Sequence, residues 1–256
     1  MQFEEKVAVI TGAGGGIGKA TAEAFAQEGA AVVIADVNAE SSERVAQEIR
    51  SQRGKAHVVV ADISRSADAQ KIAVEAVRTF GGIDILFNNA GIQTYGTVVD
   101  TDEATWDRTL GINLKGTFLV SKYCVPEMIK RGGGAIINRA SVQGLASQAR
   151  VVAYTASKGG ILAMTRTMAI DHAGDKIRVN AICPGSVDTP MLRWAAGQFA
   201  PENPSQAIED WGKLHALGRV ASPAEIARVV LFLASDDASF MTGSTVVIDG
   251  GMLAGL

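Results

Sequence analysis

Seven short apolar runs alternate along this chain with stretches of helical spacing, and that alternation constrains the fold more than any other feature. The runs are Lys6–Thr11, Ala31–Asp36, Ala56–Asp62, Asp84–Asn88, Ala135–Ala140, Ile177–Cys183 and Ser244–Asp249. Strands that are apolar on both faces belong in a parallel sheet covered by helices on both sides. Gly16–Glu28, Ala39–Gln52, Ala67–Phe80, Asp102–Lys130, Ala153–His172 and Pro223–Ser235 read as those helices. The long one from Asp102 is expected to bend near its glycines. Right-handed crossovers then give an α/β fold with a doubly wound parallel sheet of about seven strands. A length of 256 residues fits one domain spanning residues 1–256.

Composition narrows the function by exclusion. Lys and Arg number 24 against 27 Asp and Glu, a net charge of −3, with no long basic run, so no nucleic-acid partner is expected. The longest apolar stretches, such as Val7–Ile10 and Val229–Ala234, fall far short of the roughly 20 residues of a membrane span. The start of the chain passes directly into a strand-like run and does not read as a secretory signal. Cys124 and Cys183 sit among apolar residues without zinc-ligand spacing, so no metal is expected and a reducing, cytoplasmic setting is.

In a doubly wound sheet, ligands bind at the carboxyl ends of the strands. After the first strand comes Thr11-Gly12-Ala13-Gly14-Gly15-Gly16-Ile17-Gly18, leading into a helix. Glycines let the backbone turn tightly and approach a phosphate, which the helix N-terminus attracts. A Walker loop fails because Ala13 and Ala20 stand where a glycine and a hydroxyl are needed. The G-x-G-x-x-G fingerprint fails at Ile17, leaving Gly12-x-x-x-Gly16-x-Gly18. Asp36 ends the second strand, where a carboxylate can accept hydrogen bonds from an adenosine ribose and would repel a 2′-phosphate. Val37 and Asn38 follow it and Gly14 and Gly15 fill the loop, with no basic residue, so the cofactor is expected to be NAD.

Tyr154 and Lys158 lie four apart on one helix face, and Ser141 follows the strand Ala135–Ala140. A cation near a tyrosine hydroxyl favours the phenolate, so Tyr154 can serve as a general base for alcohol oxidation or a general acid for carbonyl reduction. Ser141 would hold the substrate oxygen, and Lys158 would lower the tyrosine pKa and bind the nicotinamide ribose.

With these motifs in this order, the chain resembles the short-chain dehydrogenase/reductases over almost its whole length, which implies a Rossmann fold. Asn88-Asn89-Ala90-Gly91 is similar to the family's NNAG segment beside the cofactor. The resemblance implies adenine contacts for Asp62 and Ile63. It implies a water-holding role for Asn113 in a proton relay from Tyr154 through Lys158. Pro184, Gly185, Val187 and Thr189-Pro190 resemble the segment that holds the nicotinamide carboxamide, and Ile248-Asp249-Gly250-Gly251 the closing strand and turn. The cofactor residues so implied are Gly12, Gly16, Ile17, Gly18, Asp36, Asp62, Ile63, Asn89, Ala90, Gly91, Tyr154, Lys158, Pro184, Gly185, Val187 and Thr189.

Residues 186–219 resemble a lid over the substrate, with Trp194, Phe199, Trp211 and His215 either packing the lid down or touching substrate. Gln93, Gln143, Gln148 and Arg150 suit a small hydroxylated substrate such as a sugar or polyol, with Ser141, Gln143, Gln148, Tyr154 and Trp194 as the candidate contacts. Two other readings stay open: reduction of 3-oxoacyl thioesters, and a catalytically silent NAD-binding protein. Arg139 departs from the small or apolar residue usual in relatives. It either faces the surface or contacts a polar substrate or a neighbouring subunit. Family resemblance further implies a homotetramer. The helices carrying Asn113 and Tyr154 would pack at one interface, and the last helix and strand, with Phe232, Leu233 and Phe240, at another.

Overall fold

A computed structural model describes residues 1–255. Seven parallel strands form one sheet in the order β3-β2-β1-β4-β5-β6-β7. The strands are β1 (Val7–Thr11), β2 (Ala31–Asp36), β3 (Lys55–Val60), β4 (Ile85–Asn88), β5 (Gly134–Arg139), β6 (Ile177–Pro184) and β7 (Thr245–Ile248). The order reverses between β1 and β4, and the crevice at their carboxyl ends is where such a sheet takes a ligand. Among the described residues no helix is long and apolar enough to cross a membrane.

Strand alternation divides the core. Ala8 and Ile10 of β1 join Phe25, Ile34, Phe87, Ile137 and Leu233 beneath α1 (Gly16–Gln27), α2 (Ala39–Ser51) and α9 (Pro223–Ala234). Val7 and Val9 point the other way, into a layer with Ile72, Leu86, Val120, Met128 and Ile136. That layer lies beneath α3 (Ser66–Phe80), α5 (Gly116–Arg131) and α6 (Val152–Asp171). In α1 the buried residues Ile17, Thr21 and Phe25 recur every fourth position, and α9 starts on a Ser222/Glu225 capping box with Pro223 just inside. Phe25 is fully buried with its ring edge-on to Phe3 at 5.0 Å. Phe25→Ala is expected to cost about 3–5 kcal/mol, read by urea unfolding.

Three features depart from the sequence expectations. The long helix from Asp102 is not one bent helix. It runs as α4 (Glu103–Leu110), a π-helical turn at Gly111–Lys115, then α5. Gly116 lets that turn close on the strand-end loop, because a Cβ there would press on the Ile63 side chain at 2.6 Å. The lid is helical, with α7 (Pro190–Phe199) and α8 (Pro204–Gly212). Leu233 is fully buried in the core rather than available to an interface, whereas Phe232 and Phe240 are exposed.

Candidate active site

The glycine loop is held from behind. The Asn89 side-chain amide donates to the carbonyls of Thr11 (2.9 Å) and Gly12 (3.0 Å), while Thr11 Oγ1 accepts from the backbone of Asn89 and Ala90. Gly12 (φ 65°) and Gly16 (φ 53°) adopt left-handed conformations that favour glycine. Helix α1 starts without a capping side chain and without an acidic residue in its first turn, so its N–H groups remain open to an anion. Asp36 Oδ2 accepts from Gly14 N at 2.9 Å and Oδ1 from Asn38 N at 3.0 Å. Each oxygen keeps a further lone pair for another donor. Thr189 and Pro190 lie across the loop, with Thr189 Cγ2 at 3.1 Å from where a Gly16 Cβ would stand. These features form a cradle that fits a dinucleotide's pyrophosphate and adenosine ribose.

Around the other strand ends the predicted residues divide. Asn113 is buried within the π turn. Its Oδ1 accepts from Ile92 N (2.8 Å), and its amide donates to Ile92 O (2.9 Å) and Ser157 Oγ (3.0 Å). Its side chain therefore ties the segment after β4 to α6. Asn88 donates to Ser121 and Asn138, and Asn138 to Thr165, so a buried amide chain braces β4 and β5 against α5 and α6. Asp62 is engaged locally, accepting from Ser64 N and Oγ, and Ile63 is buried against the site of Gly116.

Ser141, Tyr154, Gln93, Gln143 and Gln148 share one cavity of about 500 Å³ with Pro184, Gly185, Val187 and Thr189. Met191, Leu192, Ala195, Phe199, Trp211 and Leu214 of the lid close its far side. Trp194 does not line it. It is half-exposed and stacks on Tyr95, which turns its ring edge to Phe199 at 4.6 Å. Tyr95 itself lines the cavity and was not singled out in the sequence. Its hydroxyl is pushed up to about 12, first by burial and then by the nearby Tyr154.

Of the readings left open for Arg139, the structure gives a partly buried side chain that faces the cavity. It lines the cavity, and its guanidinium stands 3.6 Å from where a Gly91 Cβ would be. Burial raises the Tyr154 pKa, and the Arg139 charge and a hydrogen bond from Ser141 pull it back down. Lys158 Nζ sits 5.5 Å from the Tyr154 ring centroid and donates to Arg139 O at 2.9 Å. Burial and the Arg139 charge hold Lys158 well below its usual range. A phenol beside a hydroxyl and a cation, under a lid, can hand a proton to or from a carbinol oxygen.

His215 is buried with Nε2 accepting from Ser186 N at 3.1 Å, so it pins the turn after β6 rather than a metal. No cluster of His, Cys, Asp or Glu among the described residues could hold a metal ion.

Comparison with known proteins agrees with this fold. The family profile described as enoyl-(acyl carrier protein) reductase, one of the short-chain dehydrogenase profiles, matches residues 12–253. The chain is 40% identical to a meso-2,3-butanediol dehydrogenase of Serratia marcescens, covering 99% of this chain and 97% of that one. It is also 40% identical to a 3-oxoacyl-[acyl-carrier-protein] reductase of Thermotoga maritima, covering 99% and 100%. The crystal structure of levodione reductase superposes with a TM-score of 0.95 at 36% identity, covering 99% of this chain and 100% of that one. The protein is an oxidoreductase that belongs to the short-chain dehydrogenase/reductase family.

Proposed function

We propose that the protein is an NAD-dependent dehydrogenase that interconverts a secondary alcohol and a ketone on a small polar compound. The observation that carries this reading is the meeting of Tyr154, Ser141 and Lys158 at the ends of β5 and α6, beside a cavity with several side-chain amides. In it Tyr154 exchanges the substrate's hydroxyl proton, Ser141 holds the substrate oxygen, and Lys158 binds the nicotinamide ribose. Asn113 fixes the geometry from behind. The bound nicotinamide would supply the hydride chemistry. The pyrophosphate would lie at Gly12–Gly18, and Asp62, Ile63, Asn89, Ala90 and Gly91 would run along the cofactor. Pro184, Gly185, Val187 and Thr189 would meet its carboxamide.

Asp36 supports NAD over NADP, since its carboxylate would face a 2′-phosphate with no cation in the glycine loop to offset it. Asp36→Ala is expected to reduce the NAD-over-NADP ratio in kcat/KM by about tenfold to a hundredfold, the scale of one like-charge contact or ribose hydrogen bond. A wild-type preference for NADP would reverse this assignment and favour the 3-oxoacyl-thioester reading, which the Thermotoga relative's activity brings to mind. The intact Ser141, Tyr154 and Lys158 speak against a silent binding protein.

The exposed side chains of Phe118 on α5, Ile170 on α6, Phe232 on α9 and Phe240 support a homotetramer of single-domain subunits. Two unpaired, buried cysteines suit a cytoplasmic setting.

A further inference from the structure

Among the described residues, the charged side chains lining the catalytic cavity are Arg139 and Arg150, with no carboxylate side chain beside them. Arg150 lies toward its mouth, more than half exposed, and already pairs with Asp100 at 3.6 Å. Arg139 is different. It leaves the end of β5 two residues before Ser141, and its guanidinium makes no ion pair or hydrogen bond among the described residues. Its neighbours are Gly91, Lys158 and Tyr154, none of them an anion that could neutralise it. A guanidinium keeps its charge in proteins and presents a planar fork of donors that matches a carboxylate. Arg139 is partly buried, so its fork of donors is open to the cavity and free to pair with an anionic ligand beneath the lid.

Gln143 adds a second orphan. Its Oε1 is buried beside the same cavity without a donor, so it can accept from a hydroxyl. The lid supplies mainly Met191, Leu192, Ala195, Phe199 and Leu214, an apolar cover that strengthens any charge pairing beneath it.

We infer that the substrate carries a carboxylate near its reacting carbinol, and that Arg139 binds this group while Tyr154 and Ser141 engage the hydroxyl. The inference rests on the dehydrogenase reading above and narrows its small polar substrate to a short hydroxy acid or the matching keto acid. In the oxidation, the hydroxy acid gives its hydroxyl proton to Tyr154 and its carbinol hydride to NAD, leaving the keto acid and NADH. The carboxylate is unchanged.

The test is steady-state oxidation by the whole enzyme, with NAD, of short-chain 2-, 3- and 4-hydroxy acids, each against its own methyl ester and against neutral diols of similar size. At least one acid is expected to exceed its ester in kcat/KM by about tenfold to a hundredfold, the range for hydrogen bonds between charged groups. In Arg139→Met that acid-over-ester ratio falls toward one. A second measurement needs no variant: butanoate should inhibit oxidation of a neutral alcohol competitively and more tightly than butanamide. Esters or diols preferred over every acid, or an acid-over-ester ratio unchanged in Arg139→Met, would overturn the inference. So would equal inhibition by butanoate and butanamide. Neutral alcohols turned over without the acids would sink this inference alone. If neither class reduces NAD, the dehydrogenase reading fails and the inference with it.

Discussion

Tyr154→Phe is expected to lower turnover by about 10²- to 10⁴-fold, the contribution of a positioned acid or base. Cofactor affinity should hardly change, because the ring and the buried face of α6 remain. Stopped-flow rates and a fluorescence titration with NADH separate the two effects. The same residue sets a pH dependence whose sign follows from its role. Alcohol oxidation needs the phenolate and should rise with pH toward the Tyr154 pKa. Carbonyl reduction needs the phenol and should fall above it. Burial pushes that pKa up and the Arg139 charge and Ser141 hydroxyl pull it down. Removing the Ser141 hydroxyl should therefore move the oxidation profile to higher pH. A Tyr154→Phe enzyme that turns over at the wild-type rate would remove the proton-transfer role altogether.

Gly18→Ala is expected to have the second largest effect on function. A Cβ there would collide with the Gly12 carbonyl and stand 2.6 Å from Asn89 Nδ2. Neither can yield easily, since the Asn89 amide holds that carbonyl at 3.0 Å. Overpacking of this kind costs about 1–3 kcal/mol. Because the displaced atoms form the phosphate loop, the cost should appear as NADH affinity weakened by roughly five- to 150-fold, together with a lower Tm. Calorimetric titration reads the affinity. An unaltered Kd would mean that the loop does not carry the pyrophosphate.

The sheet was legible because the inner strands are short runs too apolar to face water on either side, and the glycines after β1 mark where the backbone must turn. The placement of Ser141, Tyr154 and Lys158 followed from two rules alone, strand ends and the four-residue helical spacing. The π turn was hidden because one inserted residue barely disturbs helical periodicity, and only Gly111 and Gly116 hint at it. The lid helices carried their own signals, Thr189-Pro190 and Asn203-Pro204, each a capping side chain followed by proline at the first helical position. They are short, ten and nine residues, and carry no long apolar stripe, which masked them. Arg139 could have been placed by alternation. It shares a strand face with Ile137 of the core, so the next residue on that face lies where the helical cover stops and the cavity opens. Leu233 and Phe232 are adjacent on α9, and only packing against the sheet decides which one turns inward.

The most direct measurement is the initial rate of NADH formation from NAD by the wild-type protein, with small secondary alcohols, hydroxy acids, polyols and hydroxyacyl thioesters as substrates and NADP in parallel. The account predicts NAD-linked oxidation of a small polar secondary alcohol, with NADP far weaker. Activity confined to NADP and acyl thioesters would contradict it, overturning the reading of Asp36 and of the cavity together.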